Sequence, residues 1–257
     1  MQKEESRQGS STVMEGMISF RAVIRGIESG VSDRRILCVL YDRSKERSIA
    51  GHLSYIRAMS YRYEFEVVPV DGADIDALAT GTSHGGILAV CTERTLPDLS
   101  AAEIAVGGFY VMIEGIEDPY NFGYALRSLY AAGVDGVLLS PRNWMTAAGV
   151  VCRASAGASE QLPLYIAESI DALERFHRYG YRVLASDLEH SAPMWESDLT
   201  LPLLLIVGGE RRGISRMLLD RCDGIVRIDY GREFGAALSA ASAATVLAFE
   251  VLRQNRT

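Results

Sequence analysis

FYVMIEGIEDPYNFGYALRSLYAAGVDGVLLS, residues 109–140, decides the fold. An apolar run gives way to a turn carrying Asp118, Pro119 and Asn121. A stripe of Phe122, Ala125, Leu126 and Leu129 follows at helical spacing, then a stop at Gly133 and a second apolar run. That pattern is strand, helix, strand. The alternation continues towards the C-terminus, with strands predicted near 110–115, 136–139, 162–166, 182–186, 203–207 and 225–229 and helices between most of them. Such alternation predicts an α/β fold with a mostly parallel sheet covered on both faces. Ligands of these sheets sit at the carboxyl ends of the strands. Here those ends lead into the loops 114–123, 186–189, 208–213 and 230–236, three of them glycine-rich.

Outward from this domain, 109–257, the stretch 95–108 holds Pro97, Asp98, Ser100 and Gly107-Gly108 and reads as a linker. Before it, 17–94 reads as a small α/β unit: helix 17–29, strand 36–40, helix 48–59, strand 64–70, short helix 75–79 and strand 86–91. Residues 1–16 are polar and are expected to be a disordered tail. A chain of 257 residues, 48% apolar and 23% charged, accommodates this two-domain plan with a sizeable core. The longest apolar run, Leu201 to Val207, is far too short for a bilayer. MQKEESRQGSSTVMEG has no apolar leader core, so a cytoplasmic protein is expected. The four cysteines are scattered without a Cys-x-x-Cys pair, and no two of the four histidines stand at metal-ligand spacing, so reduced thiols and no metal are expected. No phosphate-binding glycine loop of the dinucleotide or nucleotide-triphosphate type occurs.

The net charge of −7 argues against a nucleic-acid partner, yet its distribution does not. Between Arg34 and Arg62 seven cationic residues stand against two acidic ones, a local +5. Lys3 and Lys45 are the only lysines, so nearly all the positive charge is arginine, whose planar fork suits phosphate. The segment is either a solvated face or a phosphate-gripping one.

Three stretches of 109–257 could carry chemistry. Gly123 and Arg127 share one helix face, and the glycine leaves room for a ligand to approach the guanidinium; a helix-start glycine with an arginine paired to a nearby acid fits equally. In LLLIVGGERRGIS, 203–215, a buried strand runs into Gly208-Gly209-Glu210, where backbone can approach a ligand closely. Glu210 is either a ligand-contacting carboxylate or a helix cap. From Ala236 to Ala248 the residues are small or apolar on nearly all sides, so this helix is buried on several faces, in the core or in a homodimer interface.

In this order the three stretches resemble the SpoU (TrmH-like) RNA ribose 2′-O-methyltransferases of the SPOUT class, over residues 109–254. The family's Asn-x-Gly-x-x-x-Arg stands as Asn121, Gly123 and Arg127, and its Ser-x-Gly-Ala as Ser155, Gly157 and Ala158. Its Gly-x-Glu-x-x-Gly stands as Gly208, Glu210 and Gly213, and its third motif begins at Ile228. The unit 17–94 looks like the ribosomal-protein-like substrate-binding domain that many members carry. The resemblance implies a parallel α/β sheet threaded into a trefoil knot, S-adenosylmethionine bound in the knot, and a homodimer. It implies methyl transfer to a ribose 2′-hydroxyl of structured RNA, with ribosomal RNA favoured over transfer RNA. Catalytic roles fall on Arg127, Asn121, Glu210 and Ser239, and the cofactor pocket on Val207, Gly208, Gly213, Ile228, Tyr230 and Leu238. The RNA phosphates fall to Arg34, Arg35, Arg43, Lys45 and Arg47.

One departure stands out. The family's Ile-Pro-Met reads Ile228-Asp229-Tyr230, and its Ser-Leu-Asn falls on Ala237-Leu238-Ser239. Serine is shorter than asparagine and lacks the amide. The alternative reading is therefore a catalytically silent RNA-binding homologue.

Overall fold

The computed structural model describes residues 11–141, 144, 146–209 and 213–256. In chain order its elements are β1 (Ser11–Glu15), α1 (Gly16–Glu28), β2 (Ile36–Asp42), α2 (Ala50–Tyr63), β3 (Glu66–Val70), α3 (Gly72–Leu78) and β4 (Ile87–Thr92). There follow β5 (Phe109–Ile113), α4 (Pro119–Ala131), β6 (Gly136–Leu139), α5 (Ala148–Ala154), α6 (Ala158–Gln161) and β7 (Leu164–Ile166). The chain ends with α7 (Ser169–Arg178), β8 (Arg182–Ser186), β9 (Ala192–Pro193), β10 (Leu203–Val207), α8 (Arg216–Leu219), β11 (Gly224–Arg227) and α9 (Ala240–Asn255). These form two compact units, Met1–Thr95 with Trp144–Gln161 and Leu96–Asn143 with Leu162–Thr257.

The first unit is a four-stranded sheet in the order β1-β4-β2-β3, with β2 and β3 parallel and the other pairs antiparallel. Phe20, Val23 and Ile24 of α1 are buried in its core with Met14, Val39, Leu53 and Ile56. Two expectations are corrected here. Of the disordered tail expected over 1–16, residues 1–10 lie outside the described residues, and 11–15 form a strand: β1 pairs residue by residue with β4, and Met14 is fully buried. Residues 144–161, expected within the second domain, pack in the first, where α5 lies on β1 and α6 on α1. Gly157 makes that packing possible. It sits at φ +88, and a Cβ there would stand 2.4 Å from the Cβ of Ala22.

Cys91 and Cys152 lie in this core, and burial pushes both thiols up to about 12. Their neutral form thus favours folding fully below the ordinary value near 9, and that contribution is lost as pH rises from there towards 12. Iodoacetamide at pH 8 is expected to leave both intact in the native protein and to label them once urea unfolds it, which mass spectrometry of tryptic peptides reads directly. Labelling at the native rate of Cys38, which is half-buried, would contradict the packing.

The second unit holds seven parallel strands in the order β7-β6-β5-β10-β8-β11-β9. Central β5 and β10 are buried at all five positions, as strands covered on both faces must be. Residues 95–108, expected as a linker, contribute Leu99 and Ile104 to this unit's core, and Asp98 bridges Ile166 of β7. Helix α9 packs against α4. Its far end is stitched to the loop before β10: Gln254 Oε1 accepts from Leu199 N–H at 3.0 Å and Asn255 Oδ1 from Leu201 N–H at 3.0 Å. This anchoring fixes where the start of α9 stands relative to the strand ends.

Candidate active site

Strands β8, β10 and β11 run parallel, so their carboxyl ends lie side by side. The loops that leave them enclose, with the start of α9, a cavity of about 550 Å³. That is the size of a small-molecule or cofactor site. Val207, Gly208, Gly213, Ile228, Tyr230 and Leu238, the six residues expected at a cofactor, all line it, as does Ser239. Three of the four loops singled out in the sequence meet there. Individual residues of the β8 loop were missed: Ser186, Asp187 and Leu188 also form the wall. Their only signal was position at a strand end.

Most residues of the wall are glycine or apolar, and its polar side chains are Ser186, Asp187, Arg227, Tyr230 and Ser239. Gly209 shows why glycine is needed beside it. A Cβ there would lie 2.5 Å from the carbonyl oxygen of Glu114 and 2.7 Å from that of Gly115, so the loops after β5 and β10 could not approach as they do. Gly213 N–H closes the turn on Gly209 O at 3.1 Å. Glu210 lies outside the described residues.

Ser239 has a local duty. Its hydroxyl oxygen accepts from Ser242 N–H at 3.2 Å, capping α9, and its O–H donates to Ser242 Oγ at 3.1 Å. Tyr230 Oη accepts from Leu238 N–H at 3.0 Å, tying the two sides of the preceding loop together. Arg227 is engaged by Asp229 at 2.5 Å and by the carbonyl of Ser191.

Helix α4 starts with Asp118 as cap, accepting from Asn121 N–H at 2.8 Å, and with Pro119 in its first turn. Arg127 lies on the exposed side of this helix. Among the described residues it takes no hydrogen bond or ion pair, so the paired-arginine reading fails. Neither Arg127 nor Asn121 lines the cavity of its own chain.

The basic segment of the first unit changes most between sequence and structure. Arg34, expected at RNA phosphates, is 2% exposed: its Nε donates to Glu160 Oε2 at 2.8 Å and its Nη1 to Thr92 O at 2.7 Å. It holds the fold together, and its burial keeps it from RNA phosphates. Arg35, Arg43, Lys45 and Arg47 are exposed. Arg43 pairs with Asp71 at 3.3 Å, an exposed pair too weak to bar a phosphate, and Lys45, itself half-exposed, lies 3.6 Å from the buried Asp42. Among the described residues no group of three His, Cys, Asp or Glu is placed to hold a metal, and no helix is long and apolar enough to cross a membrane.

Fold and cavity together define a parallel α/β protein with a cofactor-sized site at the carboxyl ends of its strands. The model of the SpoU rRNA methylase family matches residues 108–249, and the chain belongs to that family. It is a methyltransferase of the SpoU class, and the α/β fold with a parallel sheet expected from the sequence is the one observed. A putative TrmH family tRNA/rRNA methyltransferase of Staphylococcus saprophyticus is 27% identical over 245 residues, 93% of this chain and 95% of the relative. The 23S rRNA (guanosine-2′-O-)-methyltransferase RlmB of Shewanella oneidensis is 28% identical over 190 residues, 71% of this chain and 76% of its own. The AdoMet-bound rRNA methyltransferase of Sinorhizobium meliloti superposes with a TM-score of 0.78 at 21% identity, over 96% of this chain and 88% of its own, a likeness of fold.

Proposed function

We propose that this chain transfers the methyl group of S-adenosylmethionine to a ribose 2′-hydroxyl of structured RNA, ribosomal RNA before transfer RNA. The observation that carries the reading is the cavity whose wall gathers all six residues expected at the cofactor. Its volume and its mixture of open backbone with Leu188, Val226, Ile228 and Leu247 suit a nucleoside with a short polar tail. The two methyltransferase relatives and the AdoMet-bound neighbour support the same assignment. The silent alternative gains nothing from them.

When bound, S-adenosylmethionine supplies a methyl group on an activated sulfonium leaving group. The chain then has to align the acceptor and manage one proton. Backbone of Val207, Gly208, Gly213, Ile228, Tyr230 and Leu238 would hold the cofactor. Ser239, a helix cap, keeps the start of α9 in register with that wall rather than acting on the substrate. Arg127 would orient the target's phosphate and hydroxyl and stabilise negative charge developing on oxygen. Asn121 and Glu210 would keep its loop in place.

Because Arg127 does not line its own cavity, a second copy is proposed to complete the site. The packed helices α4 and α9 favour this, since each leaves an aromatic exposed, Tyr124 at 50% on the helix of Arg127 and Phe249 at 44% on α9. The trefoil knot implied by the resemblance would be formed by the C-terminal segment. Arg35, Arg43, Lys45 and Arg47 of the first unit are the proposed phosphate contacts, in keeping with RNA recognition by shape and backbone. A ribosomal RNA substrate would place the protein in the cytoplasm.

Calorimetric titration of the purified protein with S-adenosylmethionine, alone and with RNA fragments, tests the reading. Micromolar binding followed by labelled methyl on the ribose of ribosomal RNA is the expected result. Absence of binding under both conditions would remove the methyltransferase assignment from this cavity.

A further inference from the structure

The loop between β11 and α9 carries a side chain that the cofactor pocket does not use. Phe234 is 62% exposed and is not part of the cavity wall. It stands edge-to-face with Tyr230, ring centroids 6.1 Å apart and planes at 63°. Tyr230 does line the cavity, and its hydroxyl is fixed by Leu238 N–H. One edge of the Phe234 ring is thereby propped, and its remaining surface is offered to solvent just outside the wall.

A single exposed aromatic is ordinary. This one belongs to a rim. Leu188 at 61% and Leu238 at 36% exposure both line the cavity and both reach solvent, the first from the β8 loop and the second from the loop before α9. Apolar groups around the opening of a site are what a ligand covers when it enters. Two positions before Phe234 in the same loop, Arg232 is exposed and takes no ion pair or hydrogen bond among the described residues. Arg227, by contrast, is bound by Asp229 and Ser191. A π-face beside an uncommitted guanidinium is the pair of features by which proteins hold an unpaired nucleotide: the base stacks and the cation meets the phosphate.

We propose that Phe234 is the stacking platform for the base of the target nucleotide, with Arg232 on that nucleotide's phosphate. This rests on the reading of the cavity as the cofactor pocket. The occupant is RNA and not the cofactor, because the ring lies outside the wall that would enclose the latter. Stacking accepts every base, so Phe234 positions the nucleotide without choosing it.

The test is steady-state methyl transfer from labelled S-adenosylmethionine to a pool of unmodified 23S, 16S and transfer RNA transcripts, with calorimetry of cofactor binding on each variant. Phe234→Ala is expected to raise KM for RNA about tenfold or more, the loss of one base stack, with cofactor affinity unchanged. Phe234→Trp should restore KM, and Phe234→Leu, apolar but without a π-face, should not. Unchanged cofactor affinity shows that each variant is folded. KM within twofold of wild type in Phe234→Ala, or equal rescue by Leu and Trp, overturns the platform while leaving the methyltransferase reading standing. Loss of cofactor affinity in Phe234→Ala overturns it too, by moving the ring into the pocket. A wild-type protein that neither binds cofactor nor transfers methyl overturns the parent reading, and the platform with it.

Discussion

Replacing Arg127 by alanine is expected to lower kcat for methyl transfer by about 10²–10³-fold, the cost of removing one preorganised group that meets charge developing in the transition state. Melting temperature and cofactor affinity should hardly change. The argument starts from what the side chain lacks. It is exposed on α4 and takes no hydrogen bond or ion pair among the described residues, so its loss breaks none within the chain. Surface substitutions of that kind stay within about 0.5 kcal/mol of wild type. It stands outside the cavity wall, so cofactor binding has no need of it. Arg127→Lys separates charge from geometry. If the guanidinium grips phosphate and hydroxyl together, lysine keeps the charge but not the fork and should recover only part of the rate. Methyl incorporation, thermal melts and calorimetry on the three proteins decide it. Activity of the alanine variant within about fivefold of wild type would end the assignment.

Periodicity is a local property, and it reaches the elements whose burial is set by their neighbours in sequence. Strands expected at 182–186 and 203–207 are β8 and β10 to the residue, and the helix expected at 17–29 is α1 displaced by one position. The cavity followed from the same reading, since parallel strands point their ligand loops the same way and glycine clusters marked which loops. Long-range pairing escaped it. STVME has too little alternation to announce a strand, and becomes one because β4 offers it an edge. Ser155-Ala-Gly157-Ala158 is continuous with the second domain in sequence, yet packs in the first because Gly157 fits against Ala22 of α1. Leu99 and Ile104 look like the apolar scatter of a linker until a core receives them. Ser239 resembles a substituted catalytic position, and in the fold it both lines the cavity and caps α9, a second duty that depends on where the helix starts.

Arg34 shows the same limit for charge, and carries the largest expected effect on stability. In sequence it is the first of seven cations in a basic run; in the fold its Nε meets Oε2 of Glu160, 126 positions further on, with side chains 1% and 3% exposed. Such a pair adds little over a well-packed apolar one, but removing one partner strands the other charge in the interior. Glu160→Ala is therefore expected to destabilise the first unit by about 3–5 kcal/mol, read as a fall in the urea midpoint. Arg34→Leu with Glu160→Leu should recover most of that loss, because no charge is left unpaired. A single variant within about 1 kcal/mol of wild type would mean that water or a rearrangement solvates the survivor. The same residue separates two kinds of RNA-binding defect. Arg34→Ala should weaken RNA binding only through loss of folded protein, leaving the slope of log affinity against log salt as it was. Arg47→Ala, exposed and without a partner among the described residues, should keep stability and flatten that slope by just under one unit, the signature of a lost phosphate contact.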